Sequence, residues 1–185
     1  MVSTAEFRNG MVLKHEGQLY FIVEFQHVKP GKGVAFVRTR LKNVKTGAVI
    51  TPTFRSGDKV EDVRLERREM QYLYASDGFL HFMDTRSYEQ TQFTEEAVNH
   101  AKPYLKENDT VEVLMTDSGP IGVEVPNFAF LAVTHTEPGI RGDTATGATK
   151  PATMETGLII QVPLLINIGE KLKVDTRTGT YVERA

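Results

Sequence analysis

A chain of 185 residues with 40% hydrophobic and 25% charged residues has the composition of a folded globular protein, which excludes the disordered, collagen-like and helical membrane-spanning classes. The absence of cysteine removes disulfide frameworks, thiolate nucleophiles, iron–sulfur clusters and cysteine zinc sites. A net charge of −2 hides a division into thirds: residues 1–64 carry 11 Lys and Arg against 6 Asp and Glu, residues 65–129 carry 5 against 12, and residues 130–185 carry 6 against 6.

Taken in chain order, Met1 to Gly10 lacks the basic, apolar and small-residue succession of a secretory leader, so a cytoplasmic location is expected. Period-two alternation then sets in. Leu19, Phe21, Val23 and Phe25 fall on one face and Tyr20 and Ile22 on the other, which predicts a strand ending at His27-Val28. Lys29-Pro30-Gly31-Lys32-Gly33 is a turn, and Val34 to Leu41 resumes the alternation, so the two runs form one long hairpin with Lys32 near its tip. A turn over Asn43 to Gly47 and a strand over Ala48 to Phe54 complete an antiparallel meander of small-barrel size.

In the middle third, Met70 to Tyr74 and Phe79 to Met83 flank Asp77-Gly78, a dipeptide suited to positive φ, and predict a second hairpin. Thr94 is positioned to N-cap a short helix with Glu95 and Glu96 in its first turn and Pro103 limiting its run, the one good helix candidate in the chain. Val111 to Met115 and Ile121 to Val125 flank the turn Asp117-Ser118-Gly119-Pro120, and strands with one short helix suggest an OB-like barrel. The final third opens with a polar, glycine-rich loop from Glu137 to Thr149. The apolar run Gly157 to Leu165 follows, then a hairpin of Lys171 to Val174 and Thr180 to Val182 about Thr178-Gly179, which together read as a third small barrel.

Enzyme chemistry finds no foothold. The nearest approach to a phosphate-binding loop is Gly31-Lys32, but it is followed by Gly33 and has Gln26 where the first glycine belongs. His15, His27, His81, His100 and His135 are scattered and form no metal-ligand spacing, and no serine sits in a nucleophile elbow. Carboxylate pairs such as Glu95 and Glu96 suit helix capping and solvation better than acid–base work. The expectation is a protein with no catalytic residue, metal or cofactor. The positive signal is electrostatic: from Phe25 to Gly57 there is no acidic residue, yet Lys29, Lys32, Arg38, Arg40, Lys42, Lys45 and Arg55 all occur. Such a strip suits phosphate, with a solvated sheet face as the plain alternative. Within it Lys32, held between two glycines at a hairpin end, reaches outward as a cationic probe.

Three collinear segments carry a resemblance over essentially the whole chain: Lys29-Pro30-Gly31-Lys32-Gly33-Val34-Ala35-Phe36-Val37-Arg38, then Thr136-Glu137-Pro138-Gly139-Ile140-Arg141-Gly142-Asp143-Thr144, then Gly179-Thr180-Tyr181-Val182-Glu183-Arg184. The sequence resembles the bacterial elongation factor P family. The resemblance implies an all-β fold of three small barrels, a KOW-like barrel over residues 1–64 and two OB-fold barrels over 65–128 and 129–185, in an L-shaped, tRNA-like arrangement. It implies a monomeric, non-enzymatic translation factor that contacts both ribosomal subunits, ribosomal RNA and peptidyl-tRNA, and relieves stalling at consecutive prolines.

Residue by residue, the resemblance makes Lys32 the position that reaches toward the tRNA CCA end and receives a modification from a dedicated lysine-modifying enzyme. Because the residue is lysine, β-lysine or aminopentanol fits better than the rhamnose carried by arginine. Lys29, Pro30, Gly31 and Gly33 shape the tip, and Gly142, Asp143 and Thr144 form the loop near the small subunit and exit-site codon. Tyr181 and Arg184 match the C-terminal motif, with packing and solvation as their plain roles. Arg38, Arg40, Lys42 and Lys45 are possible RNA phosphate contacts on charge alone. The rival readings are the elongation factor P-like paralogue, against which the Pro-Gly-Lys-Gly turn argues, a generic RNA-binding barrel protein, and an enzyme using carboxylates of the middle third.

Overall fold

The computed structural model describes residues 1–139 and 147–185. Strands dominate, as the alternation requires. The first sheet contains β1 (Val2–Ser3), β2 (Val12–His15), β3 (Gln18–Val28), β4 (Phe36–Asn43), β5 (Val49–Ile50), β6 (Thr53–Arg55) and β7 (Lys59–Val63), in the order β1-β7-β2-β3-β4-β5 with β6 also on β4. The second contains β8 (Glu66–Ser76), β9 (Phe79–Asp84), β10 (Gln90–Thr94), β11 (Thr110–Thr116) and β12 (Gly119–Glu124), ordered β10-β9-β8-β11-β12. The third contains β13 (Phe128–Thr136), β14 (Thr149–Met154), β15 (Ile159–Pro163), β16 (Lys171–Asp175) and β17 (Thr180–Arg184), ordered β15-β14-β13-β16-β17. The chain divides into two compact units, Met1–Arg68 with Val113–Gly122, and Glu69–Glu112 with Val123–Ala185.

The first core gathers Phe7, Leu13, Tyr20, Ile22, Val37, Leu41 and Val60, and Phe7 meets Phe25 and Phe54 edge-on at 6.3 and 5.9 Å. This corrects the expected face of β3. Strict alternation puts Phe25 with Leu19, Phe21 and Val23, opposite Tyr20 and Ile22. In the structure the register runs Ile22↔Leu41 and then Glu24↔Arg40, so Val23 is an extra, unpaired residue. That bulge reverses the alternation, leaves Val23 exposed and turns Phe25 onto the core that holds Tyr20 and Ile22.

Two further expectations are corrected in detail. The strand expected from Val34 begins at Phe36, with Val34 exposed. The strand expected over Ala48 to Phe54 is broken between β5 and β6, where Pro52 has no N–H to give; its carbonyl accepts from the Thr39 backbone N–H at 3.2 Å and from Thr39 Oγ1 at 2.7 Å. In the second sheet the Asp77-Gly78 turn forms as expected, with φ of 53° and 80°.

The helix expected after Thr94 does not form. Thr94 Oγ1 accepts from the Ala97 N–H at 3.3 Å, as a cap should, but the segment continues as turns and ends in one short 3₁₀ stretch, Lys102–Tyr104. Its bonds are mostly of the tight i→i+3 kind, Ala97 to Thr94 and Ala101 to Val98 among them. Val98, Ala101 and Leu105 are buried at the i, i+3, i+7 spacing of one helical face, so burial alone did not set these turns. Pro103 then removes the next donor. The third core collects Leu131, Val133, Met154, Ile160, Val162, Ile166, Leu172 and Val174, with Tyr104 and Tyr181 packed against it.

Candidate functional site

β3 and β4 share eight paired positions, from Tyr20↔Asn43 to Val28↔Phe36, which makes the first hairpin a stiff arm. Seven residues, 29–35, close it. Gly33 has a φ of 112°, a region that L side chains rarely adopt, and a Cβ there would lie 3.7 Å from Pro30 Cγ, so the proline ring packs across the turn onto the glycine. Among the described residues nothing approaches the Cβ position of Gly31 within 4 Å. Lys29 and Lys32 are exposed and make no hydrogen bond or ion pair among the described residues. The arrangement leaves two lysines, Lys29 and Lys32, exposed in the turn that closes a braced hairpin.

Behind the tip, alternation along β4 sends Val37, Thr39, Leu41 and Asn43 inward and Arg38, Arg40 and Lys42 outward onto one face. The Arg38 guanidinium lies 5.4 Å from the centre of the Phe36 ring. Arg40 approaches Glu24 at 3.9 Å with both groups largely in water, a contact of little energetic weight. Lys45 sits in the next turn, which Asn43 organises by accepting from the Lys45 and Thr46 N–H groups at 2.8 and 3.0 Å. The expected cations therefore come together on one hairpin and its following turn. Sequence reading passed over the residues that share their face: register places Gln26 and Thr53 on either side of Arg38, and Glu24 beside Arg40. These residues and Thr51 line a hollow of about 370 Å³. Cross-strand register was the missing signal, because it is not visible along one strand.

In the last sheet, Tyr181 packs against the core and Arg184 is tied down rather than simply solvated: its Nε lies 3.1 Å from Glu170 Oε1 and its Nη2 donates to the Leu165 carbonyl at 3.2 Å. Gly142, Asp143 and Thr144 lie outside the described residues. The chain entering and leaving their segment is anchored by Thr136 Oγ1 donating to the Pro151 carbonyl at 3.0 Å and by the buried Lys150 Nζ donating to the Glu137 carbonyl at 2.7 Å.

Three family models match along the chain: the elongation factor P KOW-like domain over residues 3–60, the elongation factor P OB domain over 65–123, and the elongation factor P C-terminal domain over 130–184. Among similar proteins, elongation factor P of Pelotomaculum thermopropionicum is 52% identical over 184 residues, and that of Desulfitobacterium hafniense (strain DSM 10664 / DCB-2) is 54% identical over 185, each pair aligned over 100% of both chains. Among solved structures, eukaryotic translation initiation factor 5A from Methanococcus jannaschii shares the fold at a TM-score of 0.56 and 22% identity, covering 66% of this chain and 90% of that one. The chain belongs to the elongation factor P family, and is a translation elongation factor.

Proposed function

We propose that the protein binds the ribosome beside peptidyl-tRNA and, without being an enzyme, stimulates peptide-bond formation where consecutive prolines stall it. The observation that carries this reading is Lys32, an exposed cation with no ion-pair or hydrogen-bond partner among the described residues, at the end of a hairpin braced by eight paired positions, in a chain of this family. Proline fixes its own φ and attacks through a secondary, hindered nitrogen, so a loosely held peptidyl end loses the orientation on which the reaction depends. A long cationic side chain laid along the CCA end supplies that orientation.

In this reading a lysine-modifying enzyme extends Lys32, while Lys29, Pro30, Gly31 and Gly33 shape the tip. Arg38, Arg40, Lys42 and Lys45 meet tRNA or ribosomal RNA phosphates. Gly142, Asp143 and Thr144 face the small subunit and exit-site codon, and Tyr181 and Arg184 serve by holding the last sheet together. The working units are domains over residues 1–64, 65–128 and 129–185, in a monomer acting in the cytoplasm.

The test is reconstituted translation of a message encoding Pro-Pro-Pro beside a proline-free control, with natively purified protein or its Lys32→Ala variant. Full-length product is expected to rise on the proline message alone and to return to the factor-free level with Lys32→Ala. Because the side chain is solvated, that variant should keep its stability within about 0.5 kcal/mol. If neither message responds to the native protein, the reading fails.

A further inference from the structure

Register sets Glu24 of β3 directly opposite Arg40 of β4, and two residues further along sets Gln26 opposite Arg38, which Thr53 of β6 flanks on its other side. Val37, Thr39 and Leu41 take the inward places on β4, so these side chains leave the sheet together on its outer face, where Lys42 and Arg55 join them. Glu24 is the one acidic residue in the sequences of β3, β4 and β6, and it shares this face with four cations.

The fold has little need of that carboxylate. Arg40 Nη1 and Glu24 Oε2 are 3.9 Å apart, at the far limit of an ion pair, and the two side chains are 55% and 70% exposed. An exposed pair of that kind contributes little to stability. Gln26 shows that a neutral side chain of similar length serves the next outward place on the same strand. For an approaching phosphate the charge weighs more. Glu24 lies well inside a Debye length, about 8 Å at physiological salt, of the guanidinium that a phosphate would seek, so its repulsion is felt where the contact forms.

We infer that Glu24 is a restraint on RNA binding: its carboxylate competes with RNA phosphate for Arg40, so that the ribosome holds the factor less tightly than the four cations alone would. Glu24 acts in this way only if Arg40 meets phosphate under the proposed function. The restraint then gives position 24 a sign opposite to that of its neighbours: removing its charge strengthens binding, while removing charge at Arg38, Arg40 or Lys42 weakens it. A factor that serves many ribosomes must leave each one, and an affinity trimmed at one position shortens its stay without removing a contact.

Fluorophore-labelled full-length protein, titrated with ribosomes stalled on the Pro-Pro-Pro message over a salt series, tests the restraint. Glu24→Gln is expected to bind about three to ten times more tightly than the native protein, with slower release when chased by excess unlabelled protein. The slope of log affinity against log salt should steepen by up to about 1, because Arg40 then neutralises phosphate without competition. Glu24→Asp keeps the charge on a shorter stem and should stay within about twofold of the native protein. In an Arg40→Gln background the gain from Glu24→Gln should shrink to about twofold or less, a coupling that a merely structural role for Glu24 would not produce. If the native protein binds with a salt-dependent affinity and Glu24→Gln binds equally or more weakly, the restraint is overturned and the phosphate contacts stand. A gain undiminished in the Arg40→Gln background overturns the competition for Arg40. If the native protein does not bind the stalled ribosome, the proposed function and the restraint fall together.

Discussion

Gly139 is required by space rather than by backbone angle. A Cβ built there would lie 2.8 Å from the Leu164 carbonyl oxygen and 3.0 Å from Leu164 Cβ, and a backbone atom cannot swing aside as a side-chain end can. Gly139→Ala is expected to cost about 1–3 kcal/mol, as overpacking does, and thermal denaturation followed by circular dichroism should record a lowered midpoint. An unchanged midpoint would mean that the approach at Leu164 relaxes freely. Gly33 differs: its Cβ position has room, and its φ of 112° is what asks for glycine. Much at this scale was legible from sequence. The outward set Arg38, Arg40 and Lys42 follows from alternation, and Lys32 from its place between two glycines. The ties of Arg184 to Glu170 and the Leu165 carbonyl were not legible, because they join residues 14 and 19 positions apart.

At the scale of elements, the hairpin of β16 and β17 turns on Asp175. The Arg177 side chain donates to its carboxylate at 3.2 and 3.0 Å and the Arg177 N–H at 2.8 Å, and these bonds hold Asp175 below the ordinary carboxylate range. The sign follows from linkage. The folded state favours the ionised form, so this stabilisation is present above about pH 4, where an unfolded aspartate is ionised, and is lost as pH falls through the lowered folded value. Urea unfolding at pH 7 and at pH 3 should show a smaller loss of midpoint for Asp175→Asn than for the native chain. Equal losses would remove the pair from the acid sensitivity.

Element type was readable wherever period two persisted, and failed where one residue or one neighbour changed the count. Val23 is indistinguishable from a regular strand residue until β4 is laid beside it and leaves it unpaired. The segment after Thr94 carries a sound cap, an acidic first turn and burial of Val98, Ala101 and Leu105 at helical spacing, yet its backbone closes mostly in tight i→i+3 turns.

Over the whole molecule, the basic first third and the acidic middle third divide the electrostatic work. Under the proposed function the basic hairpin provides the contacts sensitive to salt, since each phosphate neutralised releases counterions. Replacing Lys42 and Lys45 together by Ala should reduce the slope of log affinity for the ribosome against log salt concentration by about 2, near one for each lost contact. Filter binding over a salt series measures it; an unchanged slope would take both lysines out of the phosphate contacts.

Composition, alternation and turn residues determined by themselves that this is a strand-built protein with a lysine-tipped hairpin and a basic strip behind it, because those properties are written in neighbouring residues. Only the tertiary structure decided which residues face which: the reversal of β3 at Val23, the company of Gln26 and Thr53 around Arg38, and the placing of Glu24 opposite Arg40. Each depends on register between strands, and register is settled by packing and pairing across the sheet rather than by any one strand's own pattern.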